Sequence, residues 1–374
     1  MKVAQAKLKS TLRKIAIVGP LPPIKSGIAR HTSALTEALL ADSANEVRVW
    51  GFKRQYPGWL YPGGDERDAS LSSPTFRYEE TVDGVNPASW FHTAHAIQKF
   101  TPDILVSPAW TFTTAPALGY IAKKARQHGA RSYVVVHNVA DHEQASWKSM
   151  LSRCQLSNAD KFITHSQALA KSLSELQPGT PSVFSPHPVF DTLPQPEGRL
   201  TREQNIELLF FGIIRPYKGL DLLLKAIAKS GRRDLRLTIA GQFWQNEKDT
   251  TELIDRLGIS DLVELRSRFI DDREAAALFQ RADAVVLPYR SVTGSGVVAT
   301  AFHYGRAVIA TRLPGFAEIV KDGETGWLFS PNSIDELADH IWGMTRAQTD
   351  PAGIAAKQFG QRFTWEKFAS LVVA

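Results

Sequence analysis

Two basic residues lie between a predicted strand and a predicted helix. The apolar run Ile206 to Phe211 predicts a buried parallel strand, Gly212 lets the backbone turn, and the apolar spacing from Lys218 to Ile227 predicts a helix. Arg215 and Lys218 stand at this strand-to-helix connection. In a parallel α/β sheet this edge binds ligands, and the free N–H groups of a following helix add partial positive charge. We expect a phosphate or diphosphate there.

A glycine-rich turn follows later in the chain. Gly294, Gly296 and Ala299 form the pattern G-x-G-x-x-A, which is typical of nicotinamide enzymes. That pattern belongs after the first strand of its βαβ unit, whereas four predicted strands of the same half precede it here, which disfavours a nicotinamide enzyme. Small residues at a helix start still let backbone N–H groups approach a phosphate, so Ser295, Gly296 and Val297 are predicted phosphate contacts.

A histidine stands at the end of another predicted strand. His137 follows Arg131–Val136 and opens the segment HNVADHE. A side chain at the carboxyl end of a parallel strand is placed for chemistry, although a single histidine more often completes local hydrogen bonds.

Alternating strand and helix patterns predict two doubly wound parallel sheets. A proline-rich stretch, Gln177 to Gln204, predicts the boundary between them. The predicted strands are Lys14–Gly19, Glu46–Phe52, Asp103–Ser107, Arg131–Val136 and Lys161–His165 in the first half, and Ile206–Phe211, Leu235–Ala240, Val263–Arg266, Ala284–Leu287 and Ala307–Ala310 in the second.

The segment FFGIIRPYKGLDLLLKAI resembles the start of the C-terminal domain of retaining GT-B glycosyltransferases, specifically family 4, also called group 1. The resemblance implies two Rossmann-like domains facing a cleft, with Arg215 and Lys218 on the diphosphate of a nucleotide-sugar donor. The proline-rich turn that ends at Gly27 resembles the family's first loop, where the glycine faces the donor. HNV followed by HE resembles a family motif whose first histidine, here His137, contacts the donor sugar near the reacting carbon. Asn138, His142 and Glu143 of the same segment are expected to lie on the acceptor side or to cap a helix.

The chain departs from the family at two carboxylates. Most members have a glutamate just before the glycine-rich turn and a second one eight positions later, on the donor sugar and the ribose. These places hold Val292 or Thr293, and Thr300, which we carry over as a donor contact. The departure leaves the donor's identity and catalytic competence open, although PYRS, GSG and AFHYG resemble a branch with a Ser-Gly turn, which favours an active enzyme.

The resemblance assigns residues 1–190 to an acceptor-side domain, residues 200–350 to a nucleotide-sugar domain, and the segment from about residue 352 to a helix returning to the first. It implies transfer of a hexose, with retention, to a saccharide or glycolipid in cell-envelope or exopolysaccharide synthesis, with the donor's diphosphate as base. There is no Asp-x-Asp pair, so we expect no metal and no cofactor besides the donor. The alternatives are a nucleotide-sugar epimerase of the same fold and a non-catalytic nucleotide-sugar-binding protein.

Charge and composition agree with an anionic ligand. The 374 residues carry a formal net charge of +6, which favours an anionic partner. The sequence has no zinc-ligand spacing and no recognition-helix pattern, so we expect that this partner is not nucleic acid. A single cysteine, and the lack of a signal peptide or a bilayer-length apolar run, lead us to expect a cytoplasmic protein. The basic segment Lys2 to Lys14 predicts weak contact with an anionic membrane at its inner face, the alternative being a solvated tail.

Overall fold

The chain folds into two α/β halves, each built on its own sheet. A computed structural model describes residues 12–57, 66–68, 71–138, 146–190, 193–198, 200–244 and 247–374. Every pairing between named strands is parallel. Parallel sheets need helices on both faces, which is why most strands are apolar throughout rather than alternating. The two predicted doubly wound sheets are confirmed.

The first sheet has the strand order β3-β2-β1-β4-β5-β6-β7. Its strands are β1 (Arg13–Val18), β2 (Asn45–Arg54), β3 (Glu79–Asp83), β4 (Ile104–Ala109), β5 (Arg131–Val136), β6 (Lys161–Thr164) and β7 (Ser182–Phe184). The edge strands β3 and β7 are not predicted by the sequence patterns. Strand β7 lies inside the proline-rich stretch that the sequence assigns to a linker, between Pro181 and Pro186, and it contains no proline itself.

Helices cover both faces of the first sheet. They are α1 (Gly27–Ala41), α2 (Pro87–Phe100), α3 (Ala115–Gln127), α4 (Ser146–Leu156) and α5 (Gln167–Leu176). Successive side chains of β1 point to opposite faces, so Ile15 and Ile17 join one apolar cluster while Ala16 and Val18 join another.

The second sheet has the order β10-β9-β8-β11-β12-β13. Its strands are β8 (Ile206–Phe211), β9 (Leu235–Ala240), β10 (Val263–Arg266), β11 (Ala284–Leu287), β12 (Ala307–Thr311) and β13 (Gly326–Phe329). The first four have the predicted bounds, and β13 was not predicted. The helices that follow are α6 (Leu220–Ser230), α7 (Glu247–Arg256), α8 (Asp272–Arg281), α9 (Gly296–His303), α10 (Pro314–Ala317), α11 (Ile334–Gly343), α12 (Arg346–Gly360) and α13 (Trp365–Val373).

The helix predicted to start at Lys218 starts two residues later. Pro216–Lys218 forms a 3₁₀ turn, and Gly219 has the left-handed φ of 68° before α6 begins at Leu220. A Cβ at Gly219 would lie 2.0 Å from the Pro288 carbonyl oxygen, so no larger residue fits. Gly219 therefore lets the Arg215–Lys218 loop pack closely against Pro288, the residue that follows β11.

In each sheet, the order in which successive strands are added reverses at one place, the topological switch point. The reversal falls between β1 and β4 in the first sheet and between β8 and β11 in the second. Loops after the two central strands diverge there and leave a crevice at the carboxyl ends, where ligands of this architecture bind. The loop after β1 leads to Gly27, and the loops after β8 and β11 carry Arg215 and the glycine-rich turn.

The last two helices belong to different halves. Ala352 and Ala356 of α12 are buried in the core of the second domain, so the return predicted from residue 352 begins only after Gly360. Trp365 and Phe368 of α13 pack in the first domain, and Lys161 donates to the Leu371 carbonyl there at 2.9 Å. Within the described ranges, no helix is long and apolar enough to cross a membrane.

Candidate functional site

The loop after β8 holds two basic groups without an ion-pair partner among the described residues. Lys218 is 7% exposed, and its Nζ donates to the Phe211 carbonyl at 3.3 Å. Burial, with a smaller effect of the nearby Arg215, lowers the pKa of Lys218 to about 7. Arg215 stacks over Trp244, 4.1 Å from guanidinium carbon to ring centre. Neighbouring Arg290, by contrast, is neutralised by Asp221 at 2.8 Å.

The N-terminus of α9 faces the same point as Lys218. A Cβ placed on Gly212 would lie 3.0 Å from Lys218 Nζ and 3.8 Å from Val297 Cγ2. Ser295 is the N-cap residue, but its side chain makes no capping hydrogen bond, so the first N–H groups of the helix keep their capacity to bind an anion. An ammonium, a guanidinium and a helix N-terminus therefore surround one small volume at the switch point.

Gly27 lies on the other side of the crevice, at the first position of α1. Ser26 caps this helix by accepting from the Ala29 N–H at 3.0 Å. A Cβ on Gly27 would meet nothing within 4 Å. The fold therefore does not require glycine at this place, and the space in front of it is open.

His137 lies at the end of β5, as predicted, with its backbone N–H on the Ala109 carbonyl at 2.8 Å. Its Nε2 is buried and has no hydrogen-bond partner among the described residues. Burial first, and the nearby His187 second, lower the pKa of His137 to about 3, so the ring is neutral at physiological pH. Asn138 is half-buried next to it, while His142 and Glu143 lie outside the described residues.

Three further histidines surround His137, and the sequence analysis missed them. The ring centre of His31 on α1 lies 4.6 Å from that of His137, and His165 lies 5.3 Å from it. His187 lies 4.8 Å from His165. One signal was available in the sequence, because His165 is the last residue of a predicted strand and therefore lies at a strand's carboxyl end, as His137 does. We call His31, His137, His165 and His187 the histidine cluster.

The two domains meet around the crevice. Thr293, before the glycine-rich turn, donates to the His137 carbonyl at 2.6 Å. Arg30 of α1 forms an ion pair with Asp272 of α8. A Cβ on Gly294 would lie 3.2 Å from His165 Cβ. The glycine-rich turn of the second domain thus packs directly on the histidine cluster of the first.

The second domain also matches a known family. Residues 205–346 match the family model described as "Glycosyl transferases group 1". D-inositol 3-phosphate glycosyltransferases from Arthrobacter sp. (strain FB24) and Kribbella flavida are 32% and 31% identical over 176 and 191 residues, 44% and 46% of this chain. The matches span 41% and 43% of those relatives.

Solved structures match nearly the whole chain. Sucrose-phosphate synthase from Thermosynechococcus elongatus has a TM-score of 0.75 at 18% identity, covering 96% of this chain and 97% of that one. HepE from Anabaena, in complex with UDP and glucose, has a TM-score of 0.72 at 16% identity, covering 96% and 98%. At this identity the likeness shows the fold, and the predicted GT-B fold is confirmed.

The second domain is similar to the group 1 glycosyltransferases. The predicted resemblance to this group is therefore confirmed, and it is carried by the half that holds Arg215, Lys218 and the glycine-rich turn.

Thr293 and Thr300 stand at the places considered for the group's two glutamates, and both hydroxyls already donate hydrogen bonds within the protein. Thr300 is 7% exposed and donates to the Gly296 carbonyl at 2.9 Å, one turn earlier in α9. The Thr293 hydroxyl donates the hydrogen bond to the His137 carbonyl described above. Ser295 is also buried, and it shares a hydrogen bond with Tyr289. Contacts of Thr300 and Ser295 with a donor stay predictions.

Another glutamate of the second domain has a structural role. Glu318, just after α10, accepts hydrogen bonds from the backbone N–H groups of Gln167 at 2.8 Å and Ala168 at 3.1 Å. It therefore caps α5 of the opposite domain, where a carboxylate also interacts favourably with the helix dipole. The sequence gives no sign that Glu318 contacts a helix of the other domain, because Gln167 and Ala168 lie about 150 residues away.

Proposed function

We propose that the protein transfers a hexose from a nucleoside-diphosphate sugar to a hydroxyl of a saccharide or lipid-linked saccharide, with retention at the anomeric carbon. The observation that carries this proposal is that Arg215 and Lys218, beside the N-terminus of α9, have no ion-pair partner among the residues that the structure describes. A buried ammonium without a counter-ion is costly, and an anionic ligand removes that cost. The group 1 family of this domain and the relatives' names supply the glycosyltransferase class.

In this proposal the diphosphate lies between the loop after β8 and the start of α9. Arg215 binds phosphate oxygens with its planar fork, and Lys218 and the N–H groups of Gly296 and Val297 stabilise the leaving diphosphate. These groups supply the positive charge that a metal supplies in other transferases. The donor sugar then extends towards Gly27 and His137 on the opposite wall.

The chemical step exchanges two bonds at the anomeric carbon. The acceptor hydroxyl oxygen forms a bond to that carbon as the bond to the β-phosphate oxygen breaks. The hydroxyl proton passes to the departing phosphate, which serves as base, and the nucleoside diphosphate leaves. His137 binds the sugar as a neutral imidazole whose buried Nε2 has no hydrogen-bond partner among the described residues.

The acceptor is proposed to be a cell-envelope or exopolysaccharide glycan, reached in the cytoplasm at the inner face of the membrane. Solved structures of this fold include HepE from Anabaena in complex with UDP and glucose, and a TarM mutant from S. aureus in complex with Fondaparinux, alpha-GlcNAc-glycerol and UDP. The basic N-terminal segment proposed to touch anionic lipid lies, up to residue 11, outside the described residues.

A second candidate is a nucleotide-sugar-binding protein without turnover. The engagement of Thr300 within α9, where most family members place a ribose-binding glutamate, favours it. Incubation with UDP-, GDP- and ADP-sugars and a panel of glycan acceptors separates the candidates. Sugar joined to an acceptor supports the transferase, binding without product supports the binding protein, and a donor isomerised in place would support an epimerase instead.

A further inference from the structure

Three members of the histidine cluster converge on one point although they come from distant parts of the chain. His31 lies on α1, His165 follows β6 and His187 follows β7. One ring nitrogen of each lies within 4.8 Å of both of the others. His31 and His165 are each 2% exposed and His187 is half-buried, so the rings face one another in a largely dry interior.

Backbone carbonyls orient two of the three rings. His165 Nδ1 lies 3.0 Å from the Ser185 carbonyl, and His187 Nδ1 lies 2.8 Å from the Pro188 carbonyl. Because a carbonyl only accepts, each Nδ1 carries the proton and each neutral ring keeps a lone pair on Nε2. A backbone carbonyl on the far nitrogen is the arrangement that fixes histidines which bind metals.

The cluster also has more lone pairs than N–H donors to satisfy them. His31 Nε2 lies 2.9 Å from His165 Nε2, and one proton between them satisfies that pair. His137 Nε2 nearby is buried and has no partner among the described residues. A cation satisfies several lone pairs at once. Two nitrogen ligands of a tetrahedral zinc ion lie about 3.3 Å apart. The His31 and His165 Nε2 atoms are 2.9 Å apart, and all three nitrogens lie within 4.8 Å of one another.

We propose that His31, His165 and His187 bind one divalent transition-metal ion of the zinc class. Neutral imidazoles suit zinc, copper and nickel, whereas magnesium and calcium need oxygen ligands. The described residues add no carboxylate or thiolate to this group of three. Three protein ligands leave the fourth position of a tetrahedral ion for water or a substrate oxygen.

The proposed ion is distinct from the diphosphate site. All three ligands belong to the first domain, so the ion ties α1 to the ends of β6 and β7, beneath Trp365 and Phe368 of α13. The cluster nevertheless borders the donor turn, since a Cβ on Gly296 would lie 3.7 Å from His187 Nε2. Metal binding therefore needs no donor, and it is measured apart from sugar transfer.

The test uses the full chain without a histidine tag, stripped with a chelator and then dialysed against zinc or cobalt. We expect about one ion retained per chain, the visible absorption of four-coordinate cobalt, and a melting temperature that rises with zinc and falls with chelator. These measurements on the unaltered chain stand even if a variant folds poorly. Retention of far less than one zinc ion at micromolar concentration would overturn the proposal.

Variants locate the ion. His165→Gln and His187→Gln are each expected to weaken zinc binding by at least about tenfold. His128→Gln is the matched control, because His128 is an exposed histidine of the same domain. His137→Gln is expected to keep the metal while lowering sugar transfer, which separates this site from the proposed reaction. Zinc binding that is equal in His165→Gln, His187→Gln and the control would contradict the assignment.

Discussion

The two walls of the crevice differ in charge and in how they are built. The wall of the second domain presents a buried lysine and an arginine beside a helix N-terminus, and neither has a counter-ion in the part of the chain that the structure describes. The opposite wall presents histidines that burial keeps neutral. A charged diphosphate and a neutral sugar differ in the same way, so the two walls suit the two halves of one donor. This contrast is the basis of the predictions below.

The largest expected effect concerns the glycine that locks the cationic loop. Gly219→Ala places a side chain at φ 68° and 2.0 Å from the Pro288 carbonyl oxygen. We expect the free energy of unfolding to fall by about 3 kcal/mol, because clash adds to backbone strain. Denaturant unfolding of the purified variant measures it.

The matched control is Gly231→Ala at the end of α6. Gly231 has a similar φ of 66°, but a Cβ there would meet nothing within 4 Å. Strain alone predicts a loss of about 1 kcal/mol. Equal losses in the two variants would show that contact with the chain after β11 does not hold the Arg215–Lys218 loop in place.

The pH dependence of nucleotide binding tests the charge of the cationic wall. Burial lowers the pKa of Lys218 to about 7, so the free protein loses this positive charge as pH rises through 7. Binding a diphosphate favours the protonated form and takes up a proton. Affinity for a nucleoside diphosphate should therefore fall between pH 7 and 8.5, by up to about tenfold per pH unit.

Calorimetry in two buffers of different ionisation enthalpy measures that proton uptake. Lys218→Met has no titrating group at this position and should show neither the uptake nor the fall in affinity. A wild-type affinity that stays flat over the same pH range would mean that Lys218 does not meet the diphosphate.

A smaller effect concerns the contact between the walls. Glu318 caps α5 across the domain boundary through two backbone N–H groups. Glu318→Ala should lower the free energy of unfolding by about 1 kcal/mol, the usual cost of a lost helix cap. Glu324→Ala removes a surface glutamate paired with Lys321 at 3.5 Å, and it should change stability by less than about 0.5 kcal/mol. Equal losses of stability in the two variants would show that Glu318 does not stabilise the protein as a cap of α5.

Sequence predicts the cationic wall because that wall is local. Strand, loop and helix follow one another within Ile206–Ser230, and their apolar patterns identify β8 to the residue. The start of α6 was misplaced because apolar spacing does not register the left-handed Gly219. The group 1 resemblance then supplied the diphosphate roles of Arg215 and Lys218, which stay predictions.

The histidine cluster joins residues that are far apart in the sequence, and for this reason the sequence patterns did not predict it. Its members come from α1 and from the ends of β5, β6 and β7, which only the sheet order brings together. Strand β7 was hidden by the surrounding prolines, so nothing placed His187 at a strand end. The domain contact through Glu318 was equally invisible, because its partners lie about 150 residues away.

In the proposed function, the two walls bind different halves of the donor: the second domain binds the diphosphate and the histidine cluster faces the sugar. Calorimetry with a bare nucleoside diphosphate on Lys218→Ala and His137→Ala, with transfer rates for the same proteins, tests it most directly. Lys218→Ala should weaken binding by about 1.5 to 3 kcal/mol, roughly tenfold or more, as should Arg215→Lys, whose ammonium lacks the planar fork. His137→Ala should leave binding of the bare diphosphate nearly unchanged and lower turnover, because its contact lies beyond the β-phosphate. Loss of diphosphate binding in His137→Ala, or unchanged binding in Lys218→Ala, would contradict the placement of the donor across the crevice.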